Sequence, residues 1–148
     1  MKPCDIRDLA DLVEDVRHTL GVDALMYIRS DLQVSKWFRG CGISLQFQVI
    51  GDHKAALHMY GTSNVPLKEL RNWISECGSW MWDNTECTCV LVYCKKSDRK
   101  LRFLLSAGGA KMTAVLPQGN GEDEDELLYV FSKKDRAIYE GRATCHRQ

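Results

Sequence analysis

Ile43-Ser44-Leu45-Gln46-Phe47-Gln48-Val49 alternates apolar and polar residues almost without a break. Successive side chains of an extended strand point to opposite sides, so this pattern suits an antiparallel strand with one apolar and one wet face. Gly51-Asp52-His53 then forms a turn, and Lys54 to Tyr60 sets Ala55, Leu57 and Met59 on one side. The two runs make a hairpin whose other face carries Gln46, Gln48 and His58.

The flanking segments read as helices and further strands. Ile6, Leu9, Val13, Val16 and Leu20 recur at three and four residues between charged positions, which predicts an amphipathic helix capped by Asp5 and stopped at Gly21. Ala24 to Ile28 is a short strand candidate, and Ser30 to Gly42, with Lys36-Trp37-Phe38-Arg39, reads as an exposed connection. A second helix starts near Pro66, with Leu67, Leu70, Ile74 and Cys77 as its stripe, and ends or distorts at Gly78 before Trp80-Met81-Trp82. Strands follow at Cys87 to Cys94, Leu101 to Leu105, about Met112 to Leu116, Leu127 to Phe131 and Ala137 to Ala143, with a break at Gly108-Gly109. The order predicts a single α+β domain over 1–148. Its sheet is mostly antiparallel, of about six to eight strands, with two main helices packed on it.

Composition limits the function classes. With 45% hydrophobic residues, 20 Lys+Arg against 20 Asp+Glu, and only 3 Pro, the chain is too rich in core formers for a disordered or low-complexity protein. No stretch reaches the roughly 20 apolar residues of a membrane-spanning helix, and the N-terminus lacks a secretory pattern, so no membrane partner and a cytoplasmic, or else nuclear, location are expected. Cysteines at 4, 41, 77, 87, 89, 94 and 145 are odd in number, which favours reduced, mostly buried thiols over a disulfide framework.

The constellations that would carry chemistry are incomplete. Cys77, Cys87, Cys89 and Cys94 are separated by nine, one and four residues, whereas a zinc site wants two close pairs. Cys41 with His53 or His58 would make a thiol and imidazole pair, but Cys41 leads into a strand and lacks the helix N-terminus that acidifies many reactive thiols. Gly108-Gly109-Ala110-Lys111 and Gly119-Asn120-Gly121 lack the spacing of a phosphate loop, and Glu122-Asp123-Glu124-Asp125-Glu126 reads as a solvated turn. No catalytic residue, metal ligand or cofactor is assigned on these grounds.

What remains is a non-enzymatic macromolecule-binding module of regulatory or adaptor type, with a protein as its partner. Tryptophan is over-represented at binding hot spots, and Trp37, Phe38, Trp80 and Trp82 form the expected protein-binding surface. The alternative is an RNA-binding protein, with Lys95, Lys96, Arg99, Lys100 and Arg102 for phosphates and Tyr93 and Phe103 for bases. A cysteine-dependent enzyme comes third. An exposed edge strand leaves homodimer pairing open. Gln148 is the residue a 3C-like viral protease leaves at a cut end, which extends the expectation to a viral non-structural or leader protein.

Overall fold

The computed structural model describes residues 1–136. A turn of 3-10 helix at Ile6–Asp8 leads into α1 (Leu9–Leu20), then α2 (Leu25–Asp31), β1 (Lys36–Gly40), β2 (Ile43–Val49) and β3 (Lys54–Gly61). α3 (Leu67–Asn84), β4 (Cys89–Lys95), α4 (Arg99–Ala107), β5 (Lys111–Leu116) and β6 (Glu126–Ser132) complete the described elements. The six strands lie in the order β1-β2-β3-β4-β6-β5, and every neighbouring pair is antiparallel except β3 and β4. The α+β class with a mostly antiparallel sheet is therefore as expected. The helices number four among the described residues, and the strand expected at 137–143 lies outside them.

Two apolar layers sandwich the sheet. α1 and α2 bring Leu12, Val13, Val16 and Ile28 against Trp37, while α3 and α4 bring Leu70, Cys77, Met81, Trp82 and Leu105 against Phe38, Leu45, Phe47 and Leu57. This double cover explains most departures from the sequence reading. Lys36-Trp37-Phe38-Arg39 is not an exposed connection but β1, paired with β2 along its whole length. Adjacent residues of a strand face opposite layers, so Trp37 and Phe38 are both buried, at 0% and 1% exposure. The polar face of the hairpin is likewise dry, with Ser44 and Gln46 at 0% exposure.

Buried polar groups persist best when their hydrogen bonds are made, and those of Ser44, Gln46 and Trp37 are. The Gln46 amide donates to the Tyr27 hydroxyl and to Asp31 Oδ2, each at 2.7 Å, and accepts from Tyr60 at 2.9 Å. The Trp37 indole N–H donates to Asp31 Oδ2 at 2.9 Å. Asp15 on α1 takes the Ser44 hydroxyl at 2.5 Å and Arg39 Nε at 3.0 Å, fastening the helix to β1 and β2.

Three local expectations change in kind. Ala24 to Ile28 belongs to the start of α2, where Asp23 accepts the Leu25 N–H at 3.0 Å, and Ile28 and Leu32, four apart, pack into one cluster. Leu101 to Leu105 lies in α4, whose N-cap Asp98 accepts the Leu101 N–H at 3.0 Å; a short apolar run fits a buried strand and a helix alike. α3 runs through Gly78 to Asn84, because one glycine costs a helix only about 1 kcal/mol. The first helix is closer to expectation: Asp5 caps its 3-10 entry and Gly21, at φ 69°, ends it, although Ile6 and Leu20 stay exposed and Leu12 takes the deepest position.

Asp15→Asn is expected to lower folding stability by about 2 kcal/mol, because it weakens two charge-assisted bonds in a largely dry site. Urea denaturation measures this, and an unchanged midpoint would show that the clamp contributes nothing.

Candidate active site

β3 and β4 are parallel neighbours joined through α3, yet they pair over only three residues: Lys54 with Cys89, Ala55 with Val90 and Ala56 with Leu91. Beyond that point β3 continues to Gly61 and β4 to Lys95, each held on its far edge, by β2 and by β6. The sheet therefore opens between 57–61 and 92–95, and their facing backbone groups have no strand partner across the gap among the described residues. Such edges are obligatory hydrogen-bonding groups, which an extended ligand can satisfy.

On one side of this opening α3 and α4 leave an apolar cavity of about 60 Å³. Leu57 and Met59 from β3, Val90 and Val92 from β4, Phe131 from β6, Ile74, Gly78 and Trp82 from α3, and Leu104 and Leu105 from α4 line it. A second hollow of about 190 Å³ shares Arg71 and Leu104 with the first and adds Leu67, Lys68, Phe103 and Ala107. It lies at the first turns of α3, whose N-cap residue Pro66 makes no side-chain hydrogen bond to the open N–H groups there. The apolar cavity thus leads into a vestibule with two cations and a helix N-terminus, a combination that attracts phosphate.

The opposite face is polar. Leu57 and Val92 face the cavity, so strand alternation turns His58 and Tyr93 the other way, and the β3–β4 register carried past Ala56 and Leu91 sets them level across the gap. His58 Nε2 lies 2.8 Å from Gln48 Oε1, and its ring stacks on Tyr60 at 6.3 Å. Burial pulls the His58 imidazole below its usual pKa against the smaller opposing effect of Asp31, so the ring is neutral at pH 7. Burial, aided by the neighbouring Tyr27 and Asp31, pushes the Tyr60 phenol up to about 12.

The residues singled out from the sequence are scattered differently. Trp37, Phe38 and Trp82 are interior, so they offer no surface to a partner; Trp80 is half-buried, edge-on to Phe38 at 5.5 Å with Lys36 Nζ 6.0 Å above its ring. Lys95, Lys96, Arg99 and Lys100 are exposed, but Arg102 turns its guanidinium to the Lys96 carbonyl at 3.0 Å, and Phe103 stands on a helix, not on a sheet. Of the two aromatics that the RNA reading places on a sheet, only Tyr93 stands on one, exposed on β4. Cys41 adopts a left-handed φ of 55°, and burial together with Glu69 and Glu76 makes its thiol harder to ionise, the reverse of an activated nucleophile. Among the described residues no group of three or more His, Cys, Asp or Glu gathers as a metal site. The acidic run is tied down in part: Glu124 takes the Ser97 N–H at 2.9 Å and hydroxyl at 2.6 Å, beside the end of β4.

Neither a family model nor a curated protein matches this chain in sequence. Solved structures do match it in fold. A GNAT-family acetyltransferase from Bacillus cereus is 15% identical and superposes with a TM-score of 0.69 over 89% of this chain and 95% of its own. A chimera of the Vibrio cholerae spermidine N-acetyltransferase SpeG with hSSAT reaches 0.74 at 10% identity, over 93% and 98%. RimL, a ribosomal L7/L12 alpha-N-protein acetyltransferase in complex with coenzyme A, reaches 0.72 at 10% identity, over 88% and 92%. The chain therefore has the fold of the GNAT acetyltransferases. That finding corrects the expectation of a non-enzymatic adaptor, together with the regulatory, RNA-binding and viral readings attached to it: these structural neighbours are acetyltransferases, which is not the cysteine-dependent class considered third. Among the described residues no helix is long and apolar enough to cross a membrane.

An NMR titration of the His58 ring is expected to give a midpoint below 6.5, the usual histidine value. Because the unfolded chain then binds the proton more tightly, stability is held above pH 6.5 and declines as pH falls below it. A midpoint at or above 6.5 would contradict the burial argument.

Proposed function

We propose that this protein is an N-acyltransferase, which takes an acyl-coenzyme A thioester into the opening between β3 and β4 and passes the acyl group to an amine. The observation that carries this reading is the splay of two parallel strands over an apolar cavity whose outer end is basic. Ligands of open α/β sheets bind beyond the C-terminal ends of the strands, where the order changes, and the splay is such a place. Coenzyme A is the ligand present in RimL, and an amine is acetylated by the N-acetyltransferases that share the fold.

Lys68, Arg71 and the uncapped first turn of α3 receive the phosphates. The free backbone edges at 57–61 and 92–95 take the amides of the pantetheine arm, as an added strand would. The amine approaches from the polar face, near the acidic run beside β4, which favours a cationic acceptor. Its attacking nitrogen, as the free amine after losing its extra proton to solvent, adds to the thioester carbonyl as neutral His58 accepts the N–H proton and later releases it to solvent. The C–S bond breaks, and Tyr93 donates its hydroxyl proton to the departing thiolate, to be reprotonated from solvent. The new bond is an amide, and free coenzyme A leaves.

Calorimetry with coenzyme A and a thiol-release assay with acetyl-coenzyme A and a panel of amines test this reading. Lys68→Glu with Arg71→Glu should weaken coenzyme A at least tenfold, and His58→Gln should lower kcat by roughly 10²–10⁴ with little change in thioester affinity, the range for losing a general base. No binding, or binding with no transfer to any amine, would sink it.

A further inference from the structure

Gly78 sits in the middle of an 18-residue helix, where glycine costs about 1 kcal/mol relative to alanine. Neither backbone conformation nor close packing demands it: its φ is not left-handed, and a Cβ built there meets no atom within 4 Å. What lies beside it is the apolar cavity, which Gly78 lines together with Trp82, one turn further along. Alanine would be the more stable choice for the helix, so the missing methyl is accounted for by the space it leaves.

The position along the helix gives that space a place in the ligand. From Leu67 in the basic vestibule to Gly78 is eleven residues of helix, about 16 Å. That is comparable to the reach of a phosphopantetheine arm, so phosphates held at Lys68 and Arg71 bring the sulfur near Gly78. The cavity goes on past that point to Trp82, Val90 and Phe131, beneath the part of the sheet where β3 and β4 are still paired. With the acceptor entering from the other face, as proposed above, this end is left to the acyl chain.

We propose, on the basis of the acyl-coenzyme A reading above, that this inner end is an acyl-chain channel and that Gly78 sets its depth. A cavity of about 60 Å³ is small, so the channel takes a short chain, and the preferred donor is a butyryl thioester. Leu57, Val90, Val92, Leu105 and Phe131 offer the chain apolar contact, so selection acts chiefly through length.

Calorimetric titration of the full chain with coenzyme A, acetyl-coenzyme A and butyryl-coenzyme A tests the channel separately from the site. Each buried methylene tightens binding about fourfold, so the butyryl thioester should bind roughly fifteenfold more tightly than the acetyl thioester. Gly78→Leu should abolish that preference. Gly78→Ala, which favours the helix and so guards against a misfolded leucine variant, should reduce it to about fourfold. If coenzyme A binds and the wild-type chain holds both thioesters equally, the channel is wrong while the acyl-coenzyme A reading stands. If coenzyme A itself does not bind, both fall.

Discussion

The parallel junction between β3 and β4 governs what this molecule can do. Every other strand pair is antiparallel, whereas β3 and β4 run parallel, are linked through the whole of α3 and part after three paired residues. Three paired residues are enough to hold the two halves of the sheet together. Past them, two rows of backbone donors and acceptors face a gap, and unpaired backbone in a protein interior is costly unless something fills it. α3 and α4 roof that gap on one side with apolar side chains, which leaves a cleft that is dry at its inner end and basic at its mouth.

The other layer keeps the cleft wall rigid. β3 borders the gap, and its outward face is fixed by Tyr60 bonded to Gln46, Gln46 bonded to Asp31, and Asp31 bonded to Trp37 and, through its second oxygen, to Ser35. α1 is fastened to the same strands by Asp15 and by Thr19, whose hydroxyl accepts the Gly61 N–H at 2.6 Å. Such a satisfied network favours one arrangement over neighbouring ones. It also buries His58 enough to keep the ring neutral, which links the packing of α2 to the proton-accepting role proposed for that imidazole.

Much of the architecture was readable in the amino acids, and the failures share a cause. The β2–β3 hairpin, the capped first helix and the strands at 111–116 and 126–132 follow from local pattern. Alternation reads as a wet face, whereas Ser44 and Gln46 of β2 are buried and bonded to Asp15, Asp31 and tyrosines. Trp37-Phe38 carries no alternation because both faces of β1 are buried, so in sequence it reads as a loop. Leu101 to Leu105 of α4 fits a strand as well, because five residues with three leucines satisfy either period. The proposed site left no motif at all: a splay is a relation between two strands nearly thirty residues apart, and His58 and Tyr93 acquire their relation only through it. The one local hint was Gly78, which reads as a helix stop until the helix is seen to pass through it.

The central claim is that the divergence of β3 and β4 is a ligand site and not a packing irregularity. Amide hydrogen exchange with and without saturating coenzyme A measures this residue by residue. The account predicts slowed exchange at backbone amides within 57–61 and 92–95 and in the first turn of α3, with β1 and β5 unaffected. Slowed exchange confined to other surfaces, or none on either edge of the gap, would contradict it.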